Sequence, residues 1–256
     1  MGAAASVDAK AQRVGNVPRL AHVVVVVFEN REDSDVLGPA TDTPTFHALA
    51  ARYARVTQYD AVAHPSLPNY LALVSGSTQG ITSDCTSCTA RGPSIGTLLT
   101  RAHLPWGAFA EGYPSSPRFA KKHEPFLYFA GQASHVRPLT ALDPRALPAF
   151  ALVTPDLCDD MHDCSAATGD AWLARFVRPL LKVPRTAVFI TFDEGTTDEG
   201  GGGHVATIVA GTAVRPHSAT ARPASHYSLL RTVEDALGLP HLGMSARAAP
   251  ITGIWR

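Results

Sequence analysis

The chain lacks both a membrane-spanning hydrophobic run and an excess of charge of either sign. A transmembrane helix needs roughly 20 consecutive apolar residues, whereas the apolar run Val23–Phe28 is far shorter. The 22 basic and 22 acidic residues give a formal net charge of zero. This balance removes the usual electrostatic basis for binding nucleic acid or an anionic membrane surface. We therefore expect no nucleic-acid partner.

Two familiar catalytic motifs are also absent. The glycine run at 200–203 lacks the Gly-Lys-Ser/Thr ending of a phosphate-binding loop, so we predict a flexible loop there. A serine hydrolase of the α/β type needs a Gly-x-Ser-x-Gly elbow. Neither Ser66 nor the segment Ser75-Gly76-Ser77 supplies one, which argues against that class of enzyme.

Cysteine is scarce, and the four residues fall into two close pairs. Cys85 and Cys88 lie in a Ser/Thr-rich loop, and Cys158 and Cys164 flank a polar loop. Two local disulfides in an exported protein are the favoured interpretation, which predicts Cys85–Cys88 and Cys158–Cys164 pairing. A four-thiolate zinc site and reduced thiols in a cytosolic protein are the alternatives.

What the chain does contain is an alternation of strand and helix patterns. Its 45% hydrophobic and 17% charged residues are typical of a folded globular protein. Apolar, β-branched or aromatic runs predict strands at Ala21–Phe28, Val56–Tyr59, Trp106–Glu111, Ala149–Thr154, Thr186–Asp193 and Val205–Ala210. Helical spacing and capping signals predict helices at Thr45–Tyr53, Leu67–Ser75, Ser94–His103, Ala171–Leu181 and Ser225–Leu237. The alternation predicts an α/β fold with a mostly parallel sheet covered on both sides.

The domain organisation that we predict is simple. Residues 1–18 form a flexible N-terminal segment, and residues 19–256 form a single domain. The stretch 113–147 is irregular and rich in Pro, His and aromatic residues, and we expect it to be an insertion over the active face. Exposed aromatics between Trp106 and Phe129 are candidates for a lipid-facing lip, which would make transient contact with a membrane surface. Residues Met1–Lys10 contain no intact signal peptide.

Acidic and amide side chains follow two of the predicted strands. Glu29-Asn30 closes the first strand, and Asp193-Glu194 closes the strand that begins at residue 186. Ligands of open α/β sheets bind at the carboxyl ends of the strands, and oxygen donors suit magnesium, calcium, manganese or zinc. Ser66 stands at a predicted helix start as the N-cap, where the helix field favours a phosphate. The set predicts metal-assisted chemistry on a phosphate, with the metal activating Ser66.

Five short motifs occur in order along the chain, between roughly residues 20 and 240. They are Phe28-Glu29-Asn30-Arg31, His64-Pro65-Ser66-Leu67-Pro68-Asn69-Tyr70, Thr154-Pro155-Asp156-Leu157-Cys158, Asp193-Glu194-Gly195 and Gly203-His204-Val205. Together they resemble the phosphoesterase family, which contains bacterial phospholipases C, plant non-specific phospholipases C and bacterial acid phosphatases. The resemblance implies an alkaline-phosphatase-like fold, a three-layer α/β/α sandwich. It also implies a Ser or Thr nucleophile at a helix start beside a divalent metal ion.

The resemblance assigns roles to individual residues. It implies that Ser66 is the nucleophile and also a metal ligand. The other implied metal ligands are Glu29, Asn30, Asp193 and Glu194. We expect further polar residues to bind the substrate, namely His64, Asn69, His123, His162 and Asp163.

His204 is the second catalytic residue that the resemblance implies, and it would act on the leaving group. Some members of the family have Asp directly before this histidine, where the present chain has Gly203. Asp198 and Glu199 are the candidate replacements for that carboxylate.

The function that we predict is hydrolysis of phosphoric esters through a phosphoserine intermediate. Phospholipase C-type cleavage of a phospholipid or related phosphodiester comes first, and acid phosphatase activity on phosphomonoesters is the alternative. A non-catalytic binding domain on the same fold is a further alternative, although no expected ligand or nucleophile is missing. We expect a secreted or periplasmic monomer that acts on a small-molecule or phospholipid phosphate ester.

Overall fold

Two β-sheets organise the computed structural model, which describes residues 16–256. Within that range the strands are β1 His22–Phe28, β2 Ala54–Val56, β3 Tyr59–Asp60, β4 Trp106–Ala110, β5 Val136–Pro138, β6 Phe150–Thr154, β7 Thr186–Phe192, β8 Thr207–Ala210, β9 Ser218–Thr220 and β10 Ala224–Ser225. The larger sheet has the order β5-β4-β6-β1-β7-β8-β2-β9, and β10 pairs with β3. Only β8 runs antiparallel to its neighbours, β7 and β2, in the larger sheet. The predicted mostly parallel sheet is confirmed.

Helices cover the two faces of the sheet in separate groups. They are α1 Asp33–Leu37, α2 Pro44–Arg52, α3 Ser66–Ser75, α4 Ile95–Arg101, α5 Ala166–Leu180 and α6 His226–Leu237. On one face α2 packs against α5, and the ring of Phe28 meets those of Phe46 and Trp172 edge to face, at 5.3 and 5.8 Å. On the other face α3 packs against α4 and α6. These layers confirm the α/β/α sandwich.

The centre of the sheet positions the two acidic strand ends. Every residue of β7 is buried, as are all of β1 after His22, because both strands are apolar on both faces. Their parallel register pairs Phe28 with Phe192. The next residues, Glu29 and Asp193, therefore lie side by side at the carboxyl edge of the sheet.

Some element boundaries differ from the predicted ones. Helix α5 begins at Ala166 rather than Ala171, because the Ser165 side chain caps the Thr168 N–H. The predicted strand Val56–Tyr59 is divided between β2 and β3, which belong to different sheets. The short edge strands β5 and β9 carry too few residues for a periodic signal.

The aromatic residues between Trp106 and Phe129 do not form an exposed lip. Trp106 and Phe129 are only 6% and 4% exposed, and the aromatic residues between them are buried or half-buried. That prediction is therefore wrong. Met244, at 45%, is the one large hydrophobic side chain left exposed in residues 16–256.

The predicted domain boundaries are only partly within the described range. Most of the segment 1–18, including Met1–Lys10, lies outside the described residues, although Val17 within it is fully buried. The stretch 113–147 contains β5 and several short 3₁₀ helices. Its role as an insertion in a single domain stays a prediction. None of the described helices has both the length and the hydrophobicity needed to cross a bilayer.

Glu124 makes the folding of this core depend on pH. Its side chain is fully buried, one oxygen accepts from the Phe126 N–H at 3.4 Å, and the other has no partner. Burial raises the pKa of Glu124 to about 8 from its ordinary value of 4.5. Between these two values the folded protein holds a proton that the unfolded chain has released. Stability therefore falls as pH rises through this window.

Glu124→Gln should remove that contribution. Above pH 8 we expect the variant to be more stable than the parent by up to about 5 kcal/mol, because the pKa rises from 4.5 to about 8 and one pKa unit corresponds to about 1.4 kcal/mol. The difference should shrink below pH 4.5, where both forms are neutral. Urea unfolding at both pH values, with the exposed Asp42→Asn as control, measures it. A difference that is the same at both pH values would contradict a buried neutral Glu124.

Candidate active site

Three adjacent strands deliver acidic side chains to one edge of the sheet. Glu29 follows β1, Asp193 follows β7, and Asp160 lies in the loop after β6. The Glu29 N–H donates to Asp160 O and the Asp193 N–H donates to Phe28 O, both at 2.9 Å. All three acidic residues are at most 1% exposed. The topology therefore buries several potential negative charges together.

Ser66 lies against this acidic cluster. It is the first residue of α3, and Pro65 occupies the N-cap position, so the predicted capping role of Ser66 is wrong. Its Oγ donates to Glu29 Oε2 at 3.0 Å and lies 3.4 Å from Glu194 Oε1. The start of α3 thus brings a hydroxyl to two of the carboxylates that the sequence predicted as metal ligands.

Two buried oxygens at this edge have no hydrogen-bond partner, namely Asn30 Oδ1 and Asp193 Oδ2. The other Asp193 oxygen accepts from the Asn30 N–H at 3.1 Å. An unpaired buried oxygen is costly, and a cation bound by both would remove that cost. Glu29, Asn30, Asp193 and Glu194 offer only oxygen ligands, which hard divalent ions prefer. The residues present therefore fit a divalent metal ion.

The electrostatics of the carboxylates also favour a cation. Burial raises the pKa of Asp193 to about 8, and Glu194 reinforces the shift. Burial likewise raises the pKa of Glu29 well above its ordinary value, with further contributions from Asp193 and Asp160. Like charges that share a buried site disfavour one another's ionised form. A dication supplies the missing counter-charge.

An aromatic pair holds Glu29 in position. Tyr70 donates to Glu29 Oε1, and the ring of His123 stacks on Tyr70 at 5.4 Å. His123 Nε2 lies 3.2 Å from Glu29 Oε2, and Nδ1 lies 3.1 Å from Asp160 Oδ2. Burial lowers the pKa of His123 well below its ordinary value. At 2% exposure, His123 lies within the acidic cluster and could join it as a ligand, and its contact with substrate stays a prediction.

His64 anchors the other side of the site. Its Nδ1 lies 2.6 Å from Glu194 Oε2, and its Nε2 lies 2.9 Å from Thr197 O. Burial lowers the pKa of His64, but these hydrogen bonds and the charge of Glu194 outweigh burial and raise the pKa above its ordinary value. Its side chain is 33% exposed, which leaves the predicted contact with substrate sterically open.

His204 has a partner that the sequence did not reveal. Its Nδ1 lies 3.2 Å from Asp60 Oδ1, and a backbone bridge joins the two residues. The predicted replacements are placed differently. Asp198 lies 3.9 Å from His64, and Glu199 is near His204 without bonding to it. The carboxylate that contacts His204 Nδ1 is therefore that of Asp60, and not that of Asp198 or Glu199, the two candidates in the sequence.

The remaining predicted substrate contacts separate into two kinds. Asn69 is fully buried. Its Oδ1 accepts two backbone N–H groups of the preceding loop, and its Nδ2 donates to Ala63 O at 2.7 Å. Asn69 thus shapes the loop before Ser66, and its contact with substrate stays a prediction. His162 and Asp163 lie at the rim, 29% and 57% exposed, with 2.7 Å between His162 Nδ1 and Asp163 Oδ1.

Disulfides brace two loops of the site. Cys85 pairs with Cys88 and Cys158 with Cys164, which confirms the predicted pairing over the zinc-site and free-thiol alternatives. Asp84 directly precedes the first disulfide, and Asp160 lies inside the loop that the second one closes. Both cross-links therefore hold acidic residues of the site.

Sequence reasoning missed Tyr70, Asp60 and Asp160 as members of the site. Each of them stands at a position that the local sequence marks. Tyr70 is the last residue of the motif that begins at His64, Asp60 ends a strand, and Asp160 lies in the loop between Cys158 and Cys164. Their partners, however, are distant in sequence, and the residue numbers of Asp60 and His204 differ by 144. Such pairs become visible only once the strands are in place.

The fold and the site together define a class of protein, an α/β/α hydrolase with a serine and oxygen ligands at the carboxyl edge of its sheet. The chain belongs to the phosphoesterase family, whose model matches residues 39–240. It is a hydrolase that acts on phosphoric ester bonds. The resemblance drawn from the five motifs is confirmed.

Named phosphatases are among the similar proteins. The chain is 35% identical to the phosphatidylinositol-3-phosphatase of Mycobacterium tuberculosis, over 93% of this chain and 84% of that protein. It is 29% identical to the phosphate-repressible acid phosphatase of Penicillium chrysogenum, over 90% of this chain and 62% of that protein. An acid phosphatase of Aspergillus fumigatus is 26% identical, over 76% and 51%. The chain thus spans less than two thirds of these two fungal proteins.

Solved structures share the fold at low sequence identity. The lipoteichoic acid synthase LtaP of Listeria monocytogenes has a TM-score of 0.62 at 11% identity, over 92% of this chain and 78% of that one. A Vibrio parahaemolyticus protein in the alkaline phosphatase superfamily also has a TM-score of 0.62, at 12% identity, over 92% and 71%. These likenesses confirm the alkaline-phosphatase-like fold.

Proposed function

We propose that the chain is a metal-dependent phosphomonoesterase that works through a phosphoserine at Ser66. The observation that carries this is the position of Ser66 Oγ, 3.0 Å from Glu29 Oε2 and 3.4 Å from Glu194 Oε1, at the strand ends where Asn30 Oδ1 and Asp193 Oδ2 are buried without a partner. Glu29, Asn30, Asp193 and Glu194 would hold the cation. A bound dication neutralises phosphate charge and lowers the pKa of a nearby hydroxyl.

The chain's own residues account for the first proton transfer. Ser66 Oγ forms the bond to phosphorus and releases its proton to a carboxylate, for which Glu29 and Glu194 are both in reach. A free serine is a weak nucleophile, so a neighbouring base is required. The positive end of α3 stabilises the phosphoryl group on Ser66.

His204 protonates the leaving oxygen as its bond to phosphorus breaks. The Asp60 carboxylate, 3.2 Å from His204 Nδ1, orients the ring. The neutral ring then takes a proton from the water that attacks the phosphoserine. As the bond between Ser66 Oγ and phosphorus breaks, the carboxyl group returns its proton to Oγ, which restores Ser66 and releases phosphate.

Phosphomonoesters have more support as substrates than phospholipids cleaved in the manner of a phospholipase C. The relatives described above are named phosphatases, one of them a phosphatidylinositol-3-phosphatase. The aromatic side chains from which the sequence predicted contact with lipid are buried or half-buried. We accordingly place the acid phosphatase alternative first. We keep secretion or export as part of the proposal because both cysteine pairs are oxidised.

One assay panel tests the substrate class. We expect kcat/KM for p-nitrophenyl phosphate to exceed that for bis(p-nitrophenyl) phosphate by at least ~10²-fold, because polar groups left unpaired by the wrong substrate are costly. The two substrates share a chromophore, so the comparison isolates the second ester group. Phosphocholine release from phosphatidylcholine vesicles should be negligible. A preference for the diester, or efficient phosphocholine release, would contradict the proposed substrate class and favour phospholipase C activity.

A further inference from the structure

An acidic side chain occupies the start of helix α3, directly beside the proposed nucleophile. Asp84 Oδ1 accepts from the Leu67 N–H at 2.9 Å, and Leu67 follows Ser66 in the chain. The second oxygen, Asp84 Oδ2, accepts from Lys122 Nζ at 3.0 Å. The Asp84 carboxylate therefore bridges a backbone N–H of the first turn of α3 and an ammonium group.

The two groups that donate hydrogen bonds to Asp84 are of the kinds that bind a phosphoryl group. The first N–H groups of an α-helix have no intrahelical partner and attract anions. Ammonium groups bind phosphate through strong charge-assisted hydrogen bonds. Asp84 accepts from both donors with separate oxygens, as two non-bridging oxygens of a phosphoryl group would.

The Lys122 side chain lies close to the active-site residues and is largely shielded from solvent. Its side chain is 23% exposed, and its charge acts on Glu29 and Asp193 within the acidic cluster. Nζ also lies 3.5 Å from His162 Nε2 at the rim. The neighbouring Lys121 points elsewhere, donating to Thr86 O. Of two consecutive lysines, one therefore faces the site and one does not.

The negative charge of the acidic cluster favours a cationic side chain, in addition to the metal ion, for binding a phosphate. Glu29, Asp193 and Glu194 would repel an approaching phosphate, and the metal ion that they fit balances only part of their charge. Asp193 Oδ2, fully buried and without a partner, marks where that ion is needed. A cationic side chain near the start of α3 would complete the binding of the phosphoryl oxygens.

We propose that Lys122 Nζ and the Leu67 N–H bind non-bridging oxygens of the substrate's phosphoryl group, and that the Asp84 carboxylate occupies their position until substrate displaces it. Asp84 can withdraw because it stands at the edge of the exposed Cys85–Cys88 loop. The inference rests on the proposed function and deepens it. Lys122 becomes a substrate-binding residue, and Asp84 becomes an internal competitor of phosphate.

The proposal makes Lys122 and Asp84 act in opposite directions. Lys122→Met removes a donor to phosphate and should raise the dissociation constant for inorganic phosphate at least ~10-fold, as expected for a charge-assisted contact. Asp84→Asn weakens the competitor and should lower that constant by roughly threefold or more. Lys121→Met is the matched control and should leave it unchanged. Lys122→Arg keeps the charge and should retain most of the binding.

Calorimetric titration of inorganic phosphate into the full chain, loaded with Mn²⁺ or with Zn²⁺, measures these constants without turnover. Kinetics with p-nitrophenyl phosphate should show parallel changes in KM. Lys122→Met within twofold of Lys121→Met would overturn the inference, as would Asp84→Asn that weakens phosphate binding, or a parent chain that does not bind phosphate. If the parent binds phosphate with the expected pattern but does not hydrolyse the ester, the proposed function fails and the binding role stands.

Discussion

Replacing Ser66 by alanine is expected to leave the fold intact and to lower turnover of p-nitrophenyl phosphate by at least ~10³-fold, as the loss of a nucleophile typically does. Ser66 is 1% exposed and its Oγ contacts Glu29 and Glu194. The substitution removes one buried hydroxyl and creates little space, so thermal unfolding should change by only a few degrees. The large effect on chemistry and the small effect on stability together distinguish a nucleophile from a structural serine.

Ser75→Ala is the matched control for that substitution. Ser75 is also buried and lies at the other end of α3, where its Oγ donates to Leu71 O at 2.8 Å. We expect this variant to keep turnover within about threefold of the parent, because it touches no group of the site. Ser66→Ala with turnover within tenfold of the parent would reduce Ser66 to a ligand or a structural hydroxyl.

Removing the divalent ion is expected to abolish hydrolysis, and adding a dication back should restore it. Asp193→Asn should mimic the removal, with weaker metal binding and a loss in turnover of roughly 10²-fold or more. The reason is that Asp193 Oδ2 is buried without a protein partner, and Asp193 sits between Asn30 and Glu194 at the strand end. Elemental analysis of metal per chain, made alongside the kinetics, is the measurement.

Asp170→Asn tests whether any buried carboxylate has the same effect. Asp170 is 4% exposed and accepts from the Thr45 and Phe46 N–H groups at the start of α2. Its loss should cost about 1 kcal/mol of stability, the usual scale of a helix cap, and leave the metal content unchanged. A chain verified to be free of metal that hydrolyses at the full rate would refute the metal assignment.

Much of the fold can be predicted from local sequence because its central strands consist mostly of apolar residues. The runs that became β1 and β7 are apolar on both faces, a pattern that suits few environments besides the middle of a parallel sheet. The pair Gly169-Asp170 resembles a helix start, so the local pattern predicts a start for α5 that is later than the observed Ala166. Gly169 lies instead inside the helix, where an added Cβ would come within 2.6 Å of Met161. The Ser165 cap sets the start of the helix, and the close packing on Met161 explains why a glycine lies inside it.

The site is readable in part for a similar reason. Glu29 and Asp193 follow adjacent strands, so their meeting could be predicted from strand order alone. The Asp60–His204 pair and the contact of Asp84 with Leu67 depend on how loops close over the edge. Local sequence says little about such closure. A serine at a helix start usually forms the N-cap, which predicts that role for Ser66, whereas Pro65 occupies the N-cap position.

Stereochemistry at phosphorus tests the central claim most directly. The measurement is transfer of a phosphoryl group, made chiral with oxygen isotopes, from an aryl ester to an alcohol acceptor by the metal-loaded chain. Two successive in-line displacements, the first by Ser66 Oγ, predict net retention of configuration, with mass spectrometry finding phosphate on Ser66 in quenched samples. Net inversion, with no phosphate on Ser66, would mean that the acceptor attacks phosphorus directly and would contradict the phosphoserine mechanism.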